Sequence, residues 1–270
     1  MAMPPATAPI VVTVHDLAFL RDPSQFTRRG VSFFRRAIDL ARRDASIVVC
    51  PSQATIDDCI DNGFDPKKIR LVPWGIDPQE VESSAITAMR SRLGIAGRYV
   101  LWAGTIEPRK NLPVLLSAFE GIEDRDVTLV LAGPEGWNEQ IDGQLGRLGS
   151  RVVRVGFVEP ETLSQLQAAA ELFIFPSRQE GFGLPVLEAM AQGTAVITSS
   201  GTSTEEVVGD CGVVVDPSDV DALRAEIDRL LADDAERDRL GRAGLDRATS
   251  LFSWEKTAKA LQSAYEEATA

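Results

Sequence analysis

The stretch Leu172-Phe173-Ile174-Phe175-Pro176-Ser177-Arg178-Gln179-Glu180-Gly181-Phe182-Gly183-Leu184-Pro185-Val186-Leu187-Glu188 decides how this chain is read. Leu172 to Phe175 is a short continuous apolar run, the pattern of a strand covered on both faces. A loop with two glycines follows. A helix is then expected to open around Leu184 with Pro185 in its first turn, where the missing N–H would have no helical partner anyway. Gly181 and Gly183 allow close backbone approach to a ligand. A helix start offers N–H groups and partial positive charge, which suit a phosphate. Glu180 before the helix and Glu188 a turn inside it bracket the loop, and carboxylates accept hydrogen bonds from sugar hydroxyls.

The same alternation extends outward. Residues 10–14, 46–50 and 69–72 read as strands in the first part. In the second part, strands are expected over 99–102, 128–132, 152–155, 172–175, 195–198 and 212–215. Helical patterns lie over 112–120, 138–148, 160–170, 184–192 and 203–208, and three helices close the chain near 218–232, 234–248 and 254–268. Strand, helix and parallel strand in series predict an α/β chain with a doubly wound sheet. Pro73-Trp74-Gly75-Ile76-Asp77-Pro78 interrupts both periodicities and marks a boundary.

The segment Pro-Ser-x-x-Glu-Gly-Phe-Gly-Leu-Pro-x-x-Glu-Ala-Met-Ala resembles the Glu-x7-Glu motif of retaining GT-B glycosyltransferases of the group 1 family. The resemblance runs from about Val11 to Tyr265. It implies a GT-B-like α/β fold, with a complete Rossmann-type parallel-sheet domain over 77–252 that binds a nucleotide-sugar donor. It also implies a truncated N-terminal, acceptor-side α/β domain over 1–76. A C-terminal helix over 253–270 would cross back to that domain, with Ser253 as its N-cap and Trp254 as an apolar anchor.

Site residues follow from the resemblance one by one. Glu180 would contact the donor sugar and Glu188 the ribose. Arg109 and Lys110, in Trp102-Ala103-Gly104-Thr105-Ile106-Glu107-Pro108-Arg109-Lys110-Asn111, would grip the diphosphate. The physical need is plain: breaking the sugar–phosphate bond leaves extra negative charge on the β-phosphate, and fixed cations stabilise it most in the transition state. Gly104 and Thr105 flank that turn. Gly133 ends the next strand, and the region from Arg154 to Val158 frames the nucleobase. Gly181, Phe182, Gly183 and Leu184 form the donor loop and helix start. His15, the only histidine, would face the sugar, and Asp16 either orients it or caps a turn.

The resemblance implies transfer of a hexose with retention of anomeric configuration. Gly-Thr-Ile-Glu-Pro-Arg-Lys-Asn-Leu and His-Asp-Leu are similar to mannosyltransferase-type members, so GDP-mannose is the first expected donor and a UDP-hexose the second. No separate cofactor and no metal are expected. The acceptor would be a sugar or a lipid-linked sugar. Full-length relatives have a longer first domain, so a second expectation is a noncatalytic nucleotide-sugar-binding fragment or subunit that needs a separate N-terminal half or self-associates. A sugar-nucleotide epimerase of similar fold would want more acid–base groups in its cleft than one histidine supplies.

Composition narrows the classes further. The 270 residues carry 40 acidic against 28 basic side chains, net −12, which argues against nonspecific nucleic-acid binding. Cys50, Cys59 and Cys211 lack metal or redox spacing and are expected as buried apolar groups in a reducing compartment. No run is long and apolar enough to span a bilayer. Met1 to Pro9 lacks the basic start and apolar centre of a signal peptide, so a cytoplasmic location is expected, with the inner face of the membrane as an alternative. That alternative comes from residues 21–43, which hold seven arginines and two aspartates. Such a helix is either a solvated face over a packed apolar stripe or a surface for peripheral contact with anionic lipid.

Overall fold

The computed structural model describes residues 7–136 and 140–270. Residues 1–6, at the Pro/Ala-rich start, and 137–139, where the expected 138–148 helix begins, lie outside the described residues. Two compact units emerge. The first runs to Gly75 and adds Gln179–Phe182 and Phe252–Ala270, and the second is Ile76–Arg178 with Gly183–Leu251.

The first unit holds β1 (Val11–Thr13), the short α1 (Ala18–Arg21), α2 (Arg28–Asp44), β2 (Ile47–Cys50), α3 (Gln53–Asp61) and β3 (Ile69–Leu71). Its sheet is parallel, in the order β1-β2-β3. The unbroken apolar run of β2 is explained by the two faces it must fill. Val48 and Cys50 pack with Val12, Val14, Leu17, Phe19, Ala41 and Cys59. Ile47 and Val49 face the other way, against Ala264 and Leu261 of the last helix, α12 (Trp254–Thr269). Ser52 starts α3, its hydroxyl accepting from the Thr55 N–H at 3.1 Å. Ser253 caps α12 as expected, accepting from the Lys256 N–H at 3.3 Å. Trp254 differs from expectation: it is 49% exposed. The apolar contact is made instead by Phe252, whose ring centroid lies 5.8 Å from that of Phe182.

The second unit begins with α4 (Ser83–Leu93) and continues as β4 (Tyr99–Ala103), α5 (Leu112–Glu120), β5 (Thr128–Ala132), α6 (Asp142–Leu148), β6 (Val152–Gly156), α7 (Pro160–Ala168) and β7 (Leu172–Phe175). It ends with α8 (Leu184–Ala191), β8 (Val196–Ser199), α9 (Ser203–Val208), β9 (Val213–Val215), α10 (Val220–Ala232) and α11 (Asp234–Leu251). All six strands are parallel, in the order β6-β5-β4-β7-β8-β9. Every residue of β4 and β7 is buried, as the continuous apolar runs require. From β4 the chain winds outward through β5 and β6. It then returns to β7, on the other side of β4, and winds outward again. The β4/β7 boundary is therefore the topological switch point, and ligands of open α/β sheets bind outside the carboxyl ends of the strands at such a point.

Candidate functional site

Two loops leave the switch point, and side chains lace them together within the second unit. After β4 the chain makes a 3₁₀ turn over Pro108–Lys110 and reaches Asn111 in the left-handed region, φ 57°. Asparagine tolerates that conformation better than most residues. Its buried side chain donates through Nδ2 to the Pro176 carbonyl at 2.9 Å and to the Pro217 carbonyl at 2.6 Å. The Arg178 N–H donates to the Arg109 carbonyl at 2.8 Å. The Lys110 ammonium sits 4.7 Å from the Phe175 ring centroid, a cation–π contact at the end of β7.

Arg109 and Lys110 are thus held at the carboxyl edge of the central strands. Arg109 Nε donates to Glu107 Oε1 at 2.6 Å, and the Glu107 carboxylate is nearly buried. Glu107 fixes the direction of the guanidinium. Neither Glu107 nor Asn111 was among the expected site residues. The available signals were a carboxylate two residues before an arginine and an asparagine directly before a helix.

The loop after β7 runs into α8 through Gly183, φ 107°. A Cβ there would meet Thr204 Cγ2 at 2.6 Å, so both conformation and space favour glycine. Pro185 sits in the first turn, as expected. The Val186 and Leu187 N–H groups both return to the Gly183 carbonyl. The N–H groups that the helix start can offer an anion are therefore those of Gly183 and Leu184. One turn on, Glu188 is partly buried. Burial pushes its carboxyl above the ordinary value, and a hydrogen bond with Gln167 pulls the other way without cancelling the shift.

Gly133 packs against the β4 loop. A Cβ on it would lie 1.9 Å from the Gly104 carbonyl oxygen. With Trp102, Ile106, Glu135, Arg154 and Gly156, Gly133 lines a cavity of about 290 Å³ at the ends of β4, β5 and β6. Gly104, Thr105 and Val158 are not among the residues lining this cavity. Glu135 and Arg154 pair across 2.6 Å on its rim.

The remaining expected residues belong to the first unit. Gly181 presses on the His15 backbone, where a Cβ would lie 1.9 Å from the His15 carbonyl oxygen. Within the first unit, the close approach this glycine permits is to another stretch of protein backbone. Its own carbonyl accepts from Ser52 Oγ at 2.7 Å and Thr55 Oγ1 at 3.0 Å. Phe182 is buried, its ring 5.6 Å from that of Trp74, and Trp74 lies 5.3 Å from the His15 ring. Glu180 and His15 are therefore carried on adjoining backbone, with the His15 side chain exposed. Asp16 caps a turn: its Oδ1 accepts from the Ala18 N–H at 3.0 Å. Among the described residues no group of acidic, histidine or cysteine side chains is arranged to hold a metal ion.

The chain is similar to known proteins in sequence and in fold. Residues 87–247 match the family described as Glycosyl transferases group 1, and residues 2–80 match Glycosyltransferase Family 4. The chain is 34% identical over 267 residues to O-antigen chain mannosyltransferase B of Escherichia coli, covering 94% of this chain and 69% of that protein. It is 33% identical over 251 residues to MMP alpha-(1->4)-mannosyltransferase of Mycolicibacterium hassiacum, covering 90% of this chain and 59% of that protein. Among solved structures, Anabaena Alr3699/HepE in complex with UDP and glucose superposes with a TM-score of 0.82 at 26% identity, covering 96% of this chain and 71% of that one. The parallel α/β architecture is that of the GT-B glycosyltransferases. By its sequence match and its fold, this chain belongs to the group 1 family of glycosyltransferases.

Proposed function

We propose that the chain provides the donor site of a retaining hexosyltransferase, with GDP-mannose as donor. The carrying observation is the switch point: the β4 loop with Arg109 and Lys110 is laced to the β7 loop that leads into the start of α8. Two cations and a helix start on one strand edge suit a diphosphate. In the reaction, the bond between the anomeric carbon and the β-phosphate oxygen breaks, and its electron pair stays on that oxygen. Arg109 and Lys110 stabilise the charge that develops there. The acceptor hydroxyl oxygen forms the new bond to the sugar and passes its proton to the departing β-phosphate oxygen. Glu188 accepts from the ribose hydroxyls. Glu180 and His15 take their roles toward the sugar from the family resemblance.

The identity to two mannosyltransferases supports mannose, and hence a guanosine donor, over the UDP-hexose that the HepE complex would suggest. The chain spans 69% and 59% of the lengths of those two relatives, so transfer by the chain alone is a separate proposal. Calorimetric titration with GDP, UDP and ADP tests the donor reading, with Glu188→Ala as control. Losing hydrogen bonds to a charged group costs about 1.5–3 kcal/mol, or roughly 10- to 150-fold in affinity. GDP binding weakened to that extent is the expected result. Binding of UDP in preference reassigns the donor, and binding of no nucleotide overturns the site.

A further inference from the structure

The cavity at the carboxyl ends of β4, β5 and β6 carries a charged pair that the fold itself does not need. Trp102, Ile106 and Leu131 give it apolar walls, and Glu135 and Arg154 are the charged side chains among its described lining residues. Arg154 Nη2 donates to Glu135 Oε1 at 2.6 Å, and the Glu135 side chain is 80% exposed. An ion pair this exposed contributes little to stability. Yet the backbone that carries Glu135 is closely held. The Ile106 N–H donates to the Pro134 carbonyl at 3.1 Å, and Glu135 forms an isolated parallel bridge with Ile106. A Cβ on Gly136 would lie 2.3 Å from the Ile106 carbonyl oxygen. The loop after β5 is thereby fastened to the same β4 loop that presents Arg109 and Lys110.

The size and chemistry of this cavity fit one flat heteroaromatic ring system. Its volume of about 290 Å³ is at the small end of ligand pockets, which run from roughly 300 to 1,000 Å³. Apolar walls suit the faces of a ring, and the ion pair suits its edge. From Arg154 to Glu135, the pair offers a guanidinium N–H donor and then two carboxylate acceptors. The pairing edge of guanine presents the complement in the same order: O6 accepts, and N1–H and the N2 amino group donate. An ionised carboxylate accepts about four hydrogen bonds, so both Glu135 oxygens keep lone pairs beyond the one that Arg154 uses. Uracil presents a carbonyl, an N–H and a second carbonyl, so a carboxylate oxygen would meet a carbonyl oxygen. Adenine turns an amino group toward Arg154 and a lone pair toward Glu135. Each mismatch sets like groups against each other, which is how a site rejects the wrong ligand.

We propose that Glu135, held by Arg154, selects the base of the donor and makes the site specific for guanine. Arg154 donates to O6, and the Glu135 carboxylate accepts from N1–H and from the N2 amino group. This rests on the donor site proposed for the chain and adds the group that chooses the base. Arg109 and Lys110 cannot make that choice, because the diphosphate they bind is common to every candidate donor.

The test is calorimetric titration with GDP, inosine diphosphate and UDP. Inosine diphosphate keeps O6 and N1–H and lacks only the 2-amino group. The proteins compared are the unmodified chain, Glu135→Ala and Arg154→Ala, with far-UV circular dichroism to confirm that each is folded. Losing a hydrogen bond to a charged acceptor weakens binding about 10- to 150-fold. The unmodified chain should therefore bind GDP more tightly than inosine diphosphate by a factor in that range. Glu135→Ala should weaken GDP binding by at least as much and bring the two purine nucleotides to the same affinity, while UDP binding holds or tightens. Arg154→Ala should weaken GDP and inosine diphosphate together, because both carry O6. Equal binding of GDP and inosine diphosphate by the unmodified chain, or a preference between them that survives in Glu135→Ala, overturns the assignment of Glu135 and leaves the donor site standing. A preference for UDP over GDP also overturns it and reassigns the base. Binding of no nucleotide overturns the donor site, and this assignment with it.

Discussion

Replacing Asn111 tests whether the β4 and β7 loops are held together in the way the hydrogen bonds indicate. The side chain is buried, and its Nδ2 serves the Pro176 and Pro217 carbonyls. Asn111→Ala removes both bonds. The Pro176 carbonyl bond is buried, so its loss costs about 1–3 kcal/mol. The Pro217 bond is partly buried and water can replace it, so its loss costs about 1 kcal/mol. Alanine at φ 57° adds about 1–2 kcal/mol of left-handed strain. One offset applies: Asn111 Oδ1 is buried with no partner among the described residues, and the substitution removes it. The expected total is about 3–5 kcal/mol. Asn111→Gly loses the same bonds without the strain and should be about 1 kcal/mol better than Asn111→Ala. Asn111→Asp, isosteric and equally tolerant of the conformation, points a carboxylate oxygen at two carbonyls and should be the least stable of the three. Urea denaturation at constant m-value gives the ranking. A loss below about 1 kcal/mol for Asn111→Ala, or a glycine variant less stable than the alanine one, would refute the assignment of both the bonds and the strain.

Glu188→Gln should stabilise the nucleotide-free protein and weaken GDP binding. The folded carboxyl titrates above its unfolded value, so the folded state binds the extra proton between the two values and stability falls as pH rises through that window. The gain from glutamine should therefore be full above the raised value and vanish below the ordinary one, and a gain that persists in acid would contradict it. Gly181→Ala places a methyl on the His15 carbonyl and should cost at least about 1–3 kcal/mol by thermal denaturation; an unchanged Tm would mean the contact is absent. Glu107→Ala should release Arg109 and weaken GDP binding, whereas Glu107→Gln keeps an acceptor and most of the affinity; equal affinities for Glu107→Ala and the parent would remove Glu107 from any positioning role. Cys50 and Cys59 are fully buried with their sulfurs 3.7 Å apart, and the Cys50 thiol is pushed up by its hydrogen bond to Cys59 and by burial. Only Cys211 should react quickly with a thiol reagent in the folded protein, and rapid loss of all three thiols would rule that out.

The parallel strands were the most legible part of the sequence. A strand covered on both faces has little choice but to be apolar throughout, so runs such as Leu172–Phe175 and Thr128–Ala132 carry a clear signal. α3 and α4 were less legible. α3 buries an aspartate and a threonine beside its one buried cysteine, and α4 buries only Met89. Neither presents the apolar periodicity from which a helix is read. Trp254 misled for a related reason. A large aromatic beside a helix cap reads as an anchor, but the helix start is fixed by backbone and hydroxyl groups, with Ser253 capping and Thr257 Oγ1 donating to the Pro73 carbonyl at 2.7 Å.

The site was legible by residue type and much less so by cause. A sequence shows that glycines flank Phe182, but it does not show what fills the space a side chain would have taken. At Gly181 that space is filled by the His15 carbonyl, and at Gly183 by a Thr204 methyl. The Gly181 carbonyl is in turn held by Ser52 and Thr55, more than a hundred residues earlier in the chain. Substituting Ser52 and Thr55 together with alanine tests how firmly this segment is held. The double variant should lose roughly 1–3 kcal/mol of stability, because a buried carbonyl is left without donors. Unchanged stability would mean that the two hydroxyls do not hold this carbonyl. The 1.9 Å separation at His15 is a separate cause for glycine at 181, because no ligand is needed to exclude a side chain there.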